Sequence, residues 1–357
     1  MNMVGRNIAA LGVTMIASAM IVTAQNMSFG ADNFYVSNNV TAEPITFRNQ
    51  FQMTIAGNLF IPNNLDRSIN ASAIVVGPPF GAVKEQSANL YATKLAEQGF
   101  VTISIDPAYW GASDGEPRNA VLPDMYAESF SAAVDYLTLQ DYVDRERIGV
   151  LGICGSGSWV ISAAKIDTRM KALATVSMYD MGAASREGMR NAISFQQRQA
   201  MIAMGAQQRQ TEVDGGETAY TGGTPQRITA NSTEIDREFF DFYRTSRGEY
   251  TPEGSAPILT TYPTLSSVTR MTNYWPLNGM DIIQPRPVMF VAGTEAHSRE
   301  FAEDAYYLAG HPKELIWVKG AGHVDLYDRT ELIPFGKLAN FFHTSLSAAN
   351  VSVSFRR

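Results

Sequence analysis

A segment near the middle of the chain reads Arg147-Ile148-Gly149-Val150-Leu151-Gly152-Ile153-Cys154-Gly155-Ser156-Gly157. Its first half is a continuous apolar run, which is typical of a strand buried on both faces of a parallel sheet. The glycines that follow mark a sharp turn, and residues 158–165 then predict a helix. A buried strand, a tight turn and a helix in this order indicate an α/β protein with Cys154 in the turn.

Cys154 occupies the position of a nucleophile in this turn. A side chain held in a strained strand-to-helix turn needs small residues two positions before and after it, and Gly152 and Ser156 meet that requirement. We expect the dipole of the following helix to lower the pKa of the thiol. Ser156 is the rival nucleophile, but choosing it would move the turn two residues into the helix. The alternative for Cys154 is an inert, buried thiol.

Strands and helices alternate on both sides of this segment. The predicted strands are a leading hairpin over 44–49 and 53–62, followed by residues 73–76, 100–105, 148–153, 172–178, 287–291 and 314–318. The predicted helices are residues 84–98, one opened by Asp124 as N-cap, and residues 158–165, 298–309 and 332–348. This alternation predicts right-handed βαβ units and a mostly parallel, doubly wound sheet with helices on both faces.

The alternation stops between the strand over 172–178 and the strand over 287–291. Residues 182–284 are rich in Gln, Arg, Thr and Gly, and we interpret them as a helical cap inserted into a core formed by residues 42–181 and 285–350. One helix is predicted near residues 235–247, and its aromatic side chains would face a cleft: Phe239, Phe240, Phe242 and Tyr243. The alternative is a surface excursion that only covers the core.

A cysteine nucleophile needs a base, and His323 follows the last predicted strand within Gly320-Ala321-Gly322-His323. Loops at the carboxyl ends of parallel strands gather at one crevice, so we expect His323 and Cys154 to meet there. Of the other histidines, His297 opens a helix where it could also line the site.

The acid that would orient His323 is less well determined. Glu295, in the loop after the strand over 287–291, is the best candidate, and Asp180 and Asp304 are the alternatives. Asp325 lies two residues past His323 and is interpreted as a group that fixes the loop.

Backbone N–H groups are the expected donors to an oxyanion. One is that of Gly155, and the second is that of Phe80 or Gly81 in the loop Gly77-Pro78-Pro79-Phe80-Gly81.

Composition narrows the functional classes. The 28 basic and 35 acidic residues give a net charge of −7, with no basic block of the kind that neutralises phosphates, so a nucleic-acid partner is not expected. A single cysteine cannot form CxxC, and the four histidines are not in HxxH or HExxH spacing. We therefore expect no metal and no cofactor. The sequence does not indicate the oligomeric state.

The N-terminus predicts export. Residues 1–7 carry Arg6 and no acid, residues 8–24 are apolar or small, and Ala24 suits a signal peptidase. A signal peptide over residues 1–24 implies a periplasmic or secreted protein without stable membrane association after cleavage. The alternative is an uncleaved anchor.

The chain resembles the α/β-hydrolase superfamily, in particular its dienelactone-hydrolase-like branch and the polyketide-transferase-like hydrolases. The resemblance rests on residues 77–86, 106–113, 147–157, 178–181 and 322–328. It implies a Cys-His-acid triad. The aspartate that such hydrolases place three residues after the glycine ending the seventh strand is Ala296 here, which leaves the identity of the acid open.

Together these features predict an exported hydrolase that cleaves ester, lactone or thioester bonds of small organic acids through an acyl-enzyme on Cys154. Two alternatives stay open: acyl transfer by the same triad, and a binding scaffold that retains the fold without the chemistry.

Overall fold

Eight strands form one sheet in the computed structural model, which describes residues 30–347. The strands are β1 (Val40–Arg48), β2 (Thr54–Pro62), β3 (Ala71–Gly77), β4 (Val101–Ile105), β5 (Val143–Ile153), β6 (Met170–Val176), β7 (Val288–Gly293) and β8 (Lys313–Val318). Their spatial order is β1-β2-β4-β3-β5-β6-β7-β8. The predicted signal peptide lies outside the described residues.

The sheet is mostly parallel, as the sequence predicts. β1 pairs antiparallel with β2, and β2 pairs antiparallel with β4, whereas every pair from β4 to β8 is parallel. The central strands are the short apolar runs of the sequence, and from Ile148 to Ile153 every residue of β5 is buried. Burial on both faces is what a parallel sheet between two helical layers imposes.

Helices cover both faces of this sheet. They are α1 (Ala88–Ala96), α2 (Pro123–Thr138), α3 (Ser156–Ile166), α4 (Met181–Arg186), α5 (Phe195–Val213), α6 (Glu234–Tyr243), α7 (Leu265–Val268), α8 (Arg299–Leu308), α9 (Asp325–Asp328) and α10 (Phe335–Ser345). One hydrophobic core contains Phe130 of α2 and Trp159 of α3, and the other contains Tyr91 of α1 and Phe342 of α10. The predicted doubly wound α/β architecture is confirmed.

Three predicted helix starts were wrong. The closing helix, expected from Leu332, begins at Phe335 after a turn, with Pro334 as its N-cap. The helix expected from Lys84 begins at Ala88, because residues before it form turns and Ser87 adopts a φ of 66°. α2 begins at Pro123 with Leu122 as its N-cap, so Asp124 lies in the first turn instead of capping it. Proline is favoured at the first helical position because the N–H that it lacks would have no partner there.

The chain between β6 and β7 forms the insertion that carries α4 to α7, together with short 3₁₀ helices at Met189–Asn191, Pro257–Leu259, Thr269–Asn273 and Met280–Ile283. The predicted helix near residues 235–247 is α6, which ends at Tyr243. We use "the cap" for residues 182–284. The buried Arg247 holds it to the core, because its guanidinium binds the carboxylates of Asp328 in α9 and Asp241 in α6.

Within residues 30–347 we find no helix whose length and hydropathy would allow it to cross a membrane.

Candidate active site

Cys154 lies in the turn between β5 and α3 with a φ of 53°. Its N–H donates to the carbonyl of Val176 at 2.9 Å, and its carbonyl accepts the N–H groups of Gly157 and Tyr179. These bonds hold a backbone conformation that L-residues rarely adopt. A β-carbon on Gly152 would lie 2.3 Å from the carbonyl oxygen of Ser156, so the small residue expected before Cys154 is a steric requirement.

Ser156, the rival nucleophile, has a structural partner. It is fully buried in the first turn of α3, and its hydroxyl donates to the carbonyl of Pro78 at 2.5 Å. Ser156 thereby ties α3 to the loop that carries Phe80.

Two backbone N–H groups face the Cys154 sulfur, those of Phe80 and Gly155, and both hydrogen-bond with it. The two loops touch, since a β-carbon on Gly155 would lie 2.6 Å from the β-carbon of Phe80. Gly81 has a φ of 79° and packs against Thr261 of the cap. Of the three predicted oxyanion residues, Phe80 and Gly155 are therefore placed to donate.

The expected lowering of the thiol pKa is not found. Cys154 is only 5% exposed, and burial raises the pKa of its thiol to about 11. The hydrogen bonds from the Tyr327 hydroxyl and from the two N–H groups act in the opposite direction but do not offset the loss of hydration. Cys154 is therefore a protonated thiol near neutral pH and needs a base.

His323 is connected to Cys154 through Tyr327. The imidazole is completely buried, and its Nε2 lies 3.0 Å from the Tyr327 hydroxyl, which also hydrogen-bonds with the Cys154 thiol. On the other side of the ring, Nδ1 lies 2.6 Å from the Ser298 hydroxyl. A continuous hydrogen-bonded row thus runs from Cys154 through Tyr327 and His323 to Ser298.

The members of this row are uncharged at rest. Burial, with a smaller contribution from His297, holds the pKa of His323 well below its usual range. Burial raises the pKa of Tyr327 well above its usual range, and the neighbouring Cys154 adds to that effect. A neutral imidazole has one donor and one acceptor nitrogen, so Nε2 can accept from Tyr327 while Nδ1 donates to Ser298.

The structure does not bring Glu295 to His323. Glu295 is exposed, and its carboxylate accepts the hydroxyl of Thr294 at 3.0 Å. The turn after β7 explains the difference: the N–H of Glu295 is bound to the carbonyl of Ala321, and Ser298, three residues further on, reaches the ring instead.

The other two candidate acids do not hydrogen-bond with His323 either, since its ring nitrogens bind Ser298 and Tyr327. Asp180 caps α4 by accepting the N–H of Ala183 at 2.8 Å, and Asp304 lies within α8. Asp325 accepts the N–H of Gly322 at 2.8 Å and so fixes the loop before His323, as expected.

A second histidine lies against the first. The ring centroids of His297 and His323 are 4.7 Å apart. His297 binds Glu238 of α6 through Nδ1 at 2.9 Å and the Tyr179 hydroxyl through Nε2 at 2.7 Å. The other carboxylate oxygen of Glu238 accepts the N–H of Val324 at 2.7 Å. The cap thus supplies the carboxylate that binds at the histidine pair.

Aromatic residues of α6 close over this pair. The Phe239 ring lies 5.7 Å from both imidazoles, edge-on, and Phe242 and Tyr243 pack on the Tyr327 ring. Three of the four aromatic residues expected to face a cleft therefore contact the site.

Sequence reasoning missed Ser298, Tyr327 and Glu238. The spacing of Tyr327, four residues after His323, is a usable signal, because it returns the side chain to the same side of a helical turn. Glu238 carries no comparable signal. Within residues 30–347, no group of three or more His, Cys, Asp or Glu side chains is arranged to hold a metal ion.

The fold agrees with comparisons to known proteins. A family model described as PET hydrolase-like matches residues 36–206. Protein PA2218 of Pseudomonas aeruginosa is 41% identical over 317 residues, which cover 88% of this chain and 83% of PA2218. The PA2218 crystal structure superimposes with a TM-score of 0.83 at 40% identity, over 90% of this chain and 98% of that one.

Two further relatives extend the comparison. YcjY of Escherichia coli K12 is 34% identical over 307 residues, covering 85% of this chain and 98% of YcjY. The polyketide transferase GrgF of a Penicillium species is 27% identical over 283 residues, covering 76% of this chain and 86% of GrgF. The structure of GrgF, described as an α/β hydrolase, shares the fold with a TM-score of 0.69 at 22% identity, over 86% of this chain and 99% of that one.

The chain belongs to the α/β-hydrolase superfamily, as the sequence predicts. Within that superfamily it groups with PA2218 and YcjY, which it matches over most of their length.

Proposed function

We propose that this protein is a hydrolase that cleaves ester, lactone or thioester bonds of small organic acids, with Cys154 as the nucleophile. The observation that carries the proposal is the placement of Cys154: a strained turn, two backbone N–H groups at the sulfur, and a hydrogen-bonded path to His323. Nucleophile, oxyanion donors and base are the parts that acyl chemistry requires.

Acylation begins from neutral groups. The sulfur attacks the substrate carbonyl while the thiol proton passes to the Tyr327 oxygen and the Tyr327 proton passes to Nε2 of His323. The carbonyl oxygen becomes an oxyanion beside the N–H groups of Phe80 and Gly155. The bond from the acyl carbon to the leaving group then breaks, which is carbon–oxygen in an ester or lactone and carbon–sulfur in a thioester, and the leaving group takes the proton back along the same path. The product is a thioester on Cys154.

Ser298 takes the orienting position that an acid would hold in a Cys-His-acid triad. Accepting a hydrogen bond from Nδ1 fixes the tautomer in which Nε2 is the acceptor. A neutral hydroxyl stabilises an imidazolium less than a carboxylate does, because it carries no formal charge.

Acyl transfer to an alcohol or amine is the second candidate. Two observations favour it: the similarity to the polyketide transferase GrgF, and the burial of the nucleophile beneath α6, which restricts water at the acyl-enzyme. The same row of groups would serve both reactions. We further propose that the protein is exported, on the basis of residues 1–24.

Release of p-nitrophenol from p-nitrophenyl acetate and butyrate tests the proposal, with Cys154→Ala and Ser156→Ala compared with the wild-type protein. We expect turnover by the wild type, loss of essentially all turnover in Cys154→Ala, and retained chemistry in Ser156→Ala if that variant folds. Equal turnover in the wild type and Cys154→Ala would contradict the proposal and favour another nucleophile such as Ser156, whereas no turnover in either protein would favour the scaffold interpretation. Product analysis with added alcohols separates hydrolysis from transfer.

A further inference from the structure

The acylation step proposed above uses the row from Cys154 to Ser298. It does not use a second set of acid–base groups in the same site. Glu238, His297 and Tyr179 form a hydrogen-bonded row of their own, with contacts of 2.9 Å and 2.7 Å. The Tyr179 ring packs against His323 with centroids 5.0 Å apart, and the Tyr179 N–H donates to the carbonyl of Cys154 at 3.0 Å. The second row therefore ends beside the nucleophile.

His323 is poorly placed to activate an incoming acceptor. The imidazole has no exposed surface, and neither has Tyr327, whose hydroxyl lies between it and Cys154. In the second row Tyr179 is partly exposed, and the side chains of His297 and Glu238 are 14% and 26% exposed. A group that deprotonates an acceptor must be reachable by that acceptor, and the second row meets this requirement better than the first.

We propose that the Glu238–His297–Tyr179 row activates the acceptor in deacylation, so that the site uses separate bases for its two half-reactions. This inference rests on the proposed function, because it requires a thioester on Cys154. Tyr179 is the group proposed to contact the acceptor; His297 receives the proton, and Glu238 is a positioning residue.

The acceptor hydroxyl gives its proton to the Tyr179 oxygen while the Tyr179 proton moves to Nε2 of His297. The acceptor oxygen bonds to the acyl carbon, the carbon–sulfur bond breaks, and Cys154 leaves as a thiolate. Glu238 stabilises the resulting imidazolium, whose proton then returns to the thiolate. Burial, together with the nearby Cys154, raises the pKa of Tyr179 well above its usual range, so Tyr179 relays a proton without standing as an anion.

Tyr179→Phe, which keeps the ring, and Glu238→Gln, which keeps the shape, test the inference. Glu234→Gln is the matched control, since it removes the same charge from an exposed position of α6. Stopped-flow p-nitrophenol release measures acylation, and intact mass measures the acyl-enzyme. We expect an unchanged first turnover and an accumulating acyl-enzyme in Tyr179→Phe and Glu238→Gln. Deacylation should slow roughly 100-fold for the tyrosine and roughly tenfold for the glutamate. Glu234→Gln should match the wild type.

The outcomes separate this inference from the proposed function. If Tyr179→Phe and Glu238→Gln form and lose the acyl-enzyme at wild-type rates, or if only their first turnover slows, the second row has no role in deacylation and the inference fails alone. If no adduct forms on any protein while Cys154→Ala still turns over, the proposed function fails as well. Should Glu238→Gln unfold, Tyr179→Phe decides, because its ring packing is retained.

Discussion

The rings of His323 and His297 lie against each other, tilted by 39° with their centroids 4.7 Å apart, yet they are held in different ways. His323 is completely buried, and its partners, Ser298 and Tyr327, are hydroxyl groups from the core. His297 is partly exposed and binds the carboxylate of Glu238, which comes from the cap. His323 therefore takes both of its hydrogen-bond partners from the core, whereas His297 takes one of its two from the cap.

Because of this difference, we expect the two histidines to be suited to different steps of the reaction. A buried imidazole among neutral partners can take a proton only transiently, which suits a base that returns it within the same step. An imidazole beside a carboxylate can hold the proton for longer, because the ion pair stabilises it. Variants that disturb one histidine and spare the other are the sharpest tests of this division.

The largest effect is expected from His323→Gln. Loss of a general base costs roughly 10²- to 10⁴-fold, and we expect the first turnover of p-nitrophenyl butyrate to slow by that amount. His297→Gln is the comparison variant and should leave the first turnover unchanged while slowing later ones. Stopped-flow absorbance measures both. Equal losses of the first turnover in the two variants would show that the histidines act together.

Arg247→Met should have the next largest effect, on stability. The variant leaves the fully buried Asp328 and the neighbouring Asp241 without their guanidinium, and removing one partner of a buried pair costs about 3–5 kcal/mol. Burial already raises the pKa of Asp328, and that pKa should rise further without Arg247, so the loss should be smaller at acidic pH, where the carboxyl is protonated.

Urea unfolding at two pH values measures this effect. Arg299→Met, which removes a surface ion pair with Glu303, is the control and should change the free energy of unfolding by less than about 1 kcal/mol. A loss no larger than that of the control would contradict the anchoring role of Arg247. Because the cap also delivers Glu238, Arg247→Met should impair the His297 row more than the His323 row.

The smallest effect is expected from Ser298→Ala, and comparison with Glu295→Gln shows which of the two residues orients His323. Ser298→Ala removes the hydrogen-bond partner of Nδ1 on His323, a change worth about 1–3 kcal/mol and therefore roughly 10- to 100-fold in the acylation rate. Glu295→Gln should leave the rate unchanged, because that carboxylate contacts Thr294 at the surface. Slower acylation in Glu295→Gln together with an unchanged rate in Ser298→Ala would contradict this expectation and identify Glu295 as the acid of a triad.

The sheet could be predicted from the sequence because each of its strands carries a local signal. β3 and the second half of β5 are short apolar runs followed by glycine or proline within two residues, and their order along the chain limits the topology; the first half of β5, residues 143–147, is charged and was not predicted as strand. The meeting of Cys154 and His323 at one edge follows from the same rule, although the contact runs through Tyr327.

The other contacts in the site depend on the tertiary structure and could not be predicted from local sequence signals. Ser298 reaches His323 because of the turn after β7, which places Glu295 at the surface. Glu238 reaches His297 from a cap helix that is distant in sequence. The pKa of the Cys154 thiol is raised by burial, not lowered by the helix dipole as expected. Desolvation of a buried sulfur outweighs the partial charges at the helix N-terminus.

The central claim is that Cys154 forms the covalent intermediate, and mapping the adduct tests it most directly. The protein is mixed with p-nitrophenyl butyrate, quenched in acid within the first turnovers, digested and analysed by tandem mass spectrometry, with Tyr179→Phe included to extend the lifetime of the adduct. We expect a butyryl group on the peptide that contains Cys154, located on the sulfur and absent from Cys154→Ala. A butyryl group on Ser156 or on any other side chain, formed at the rate of turnover, would contradict the central claim.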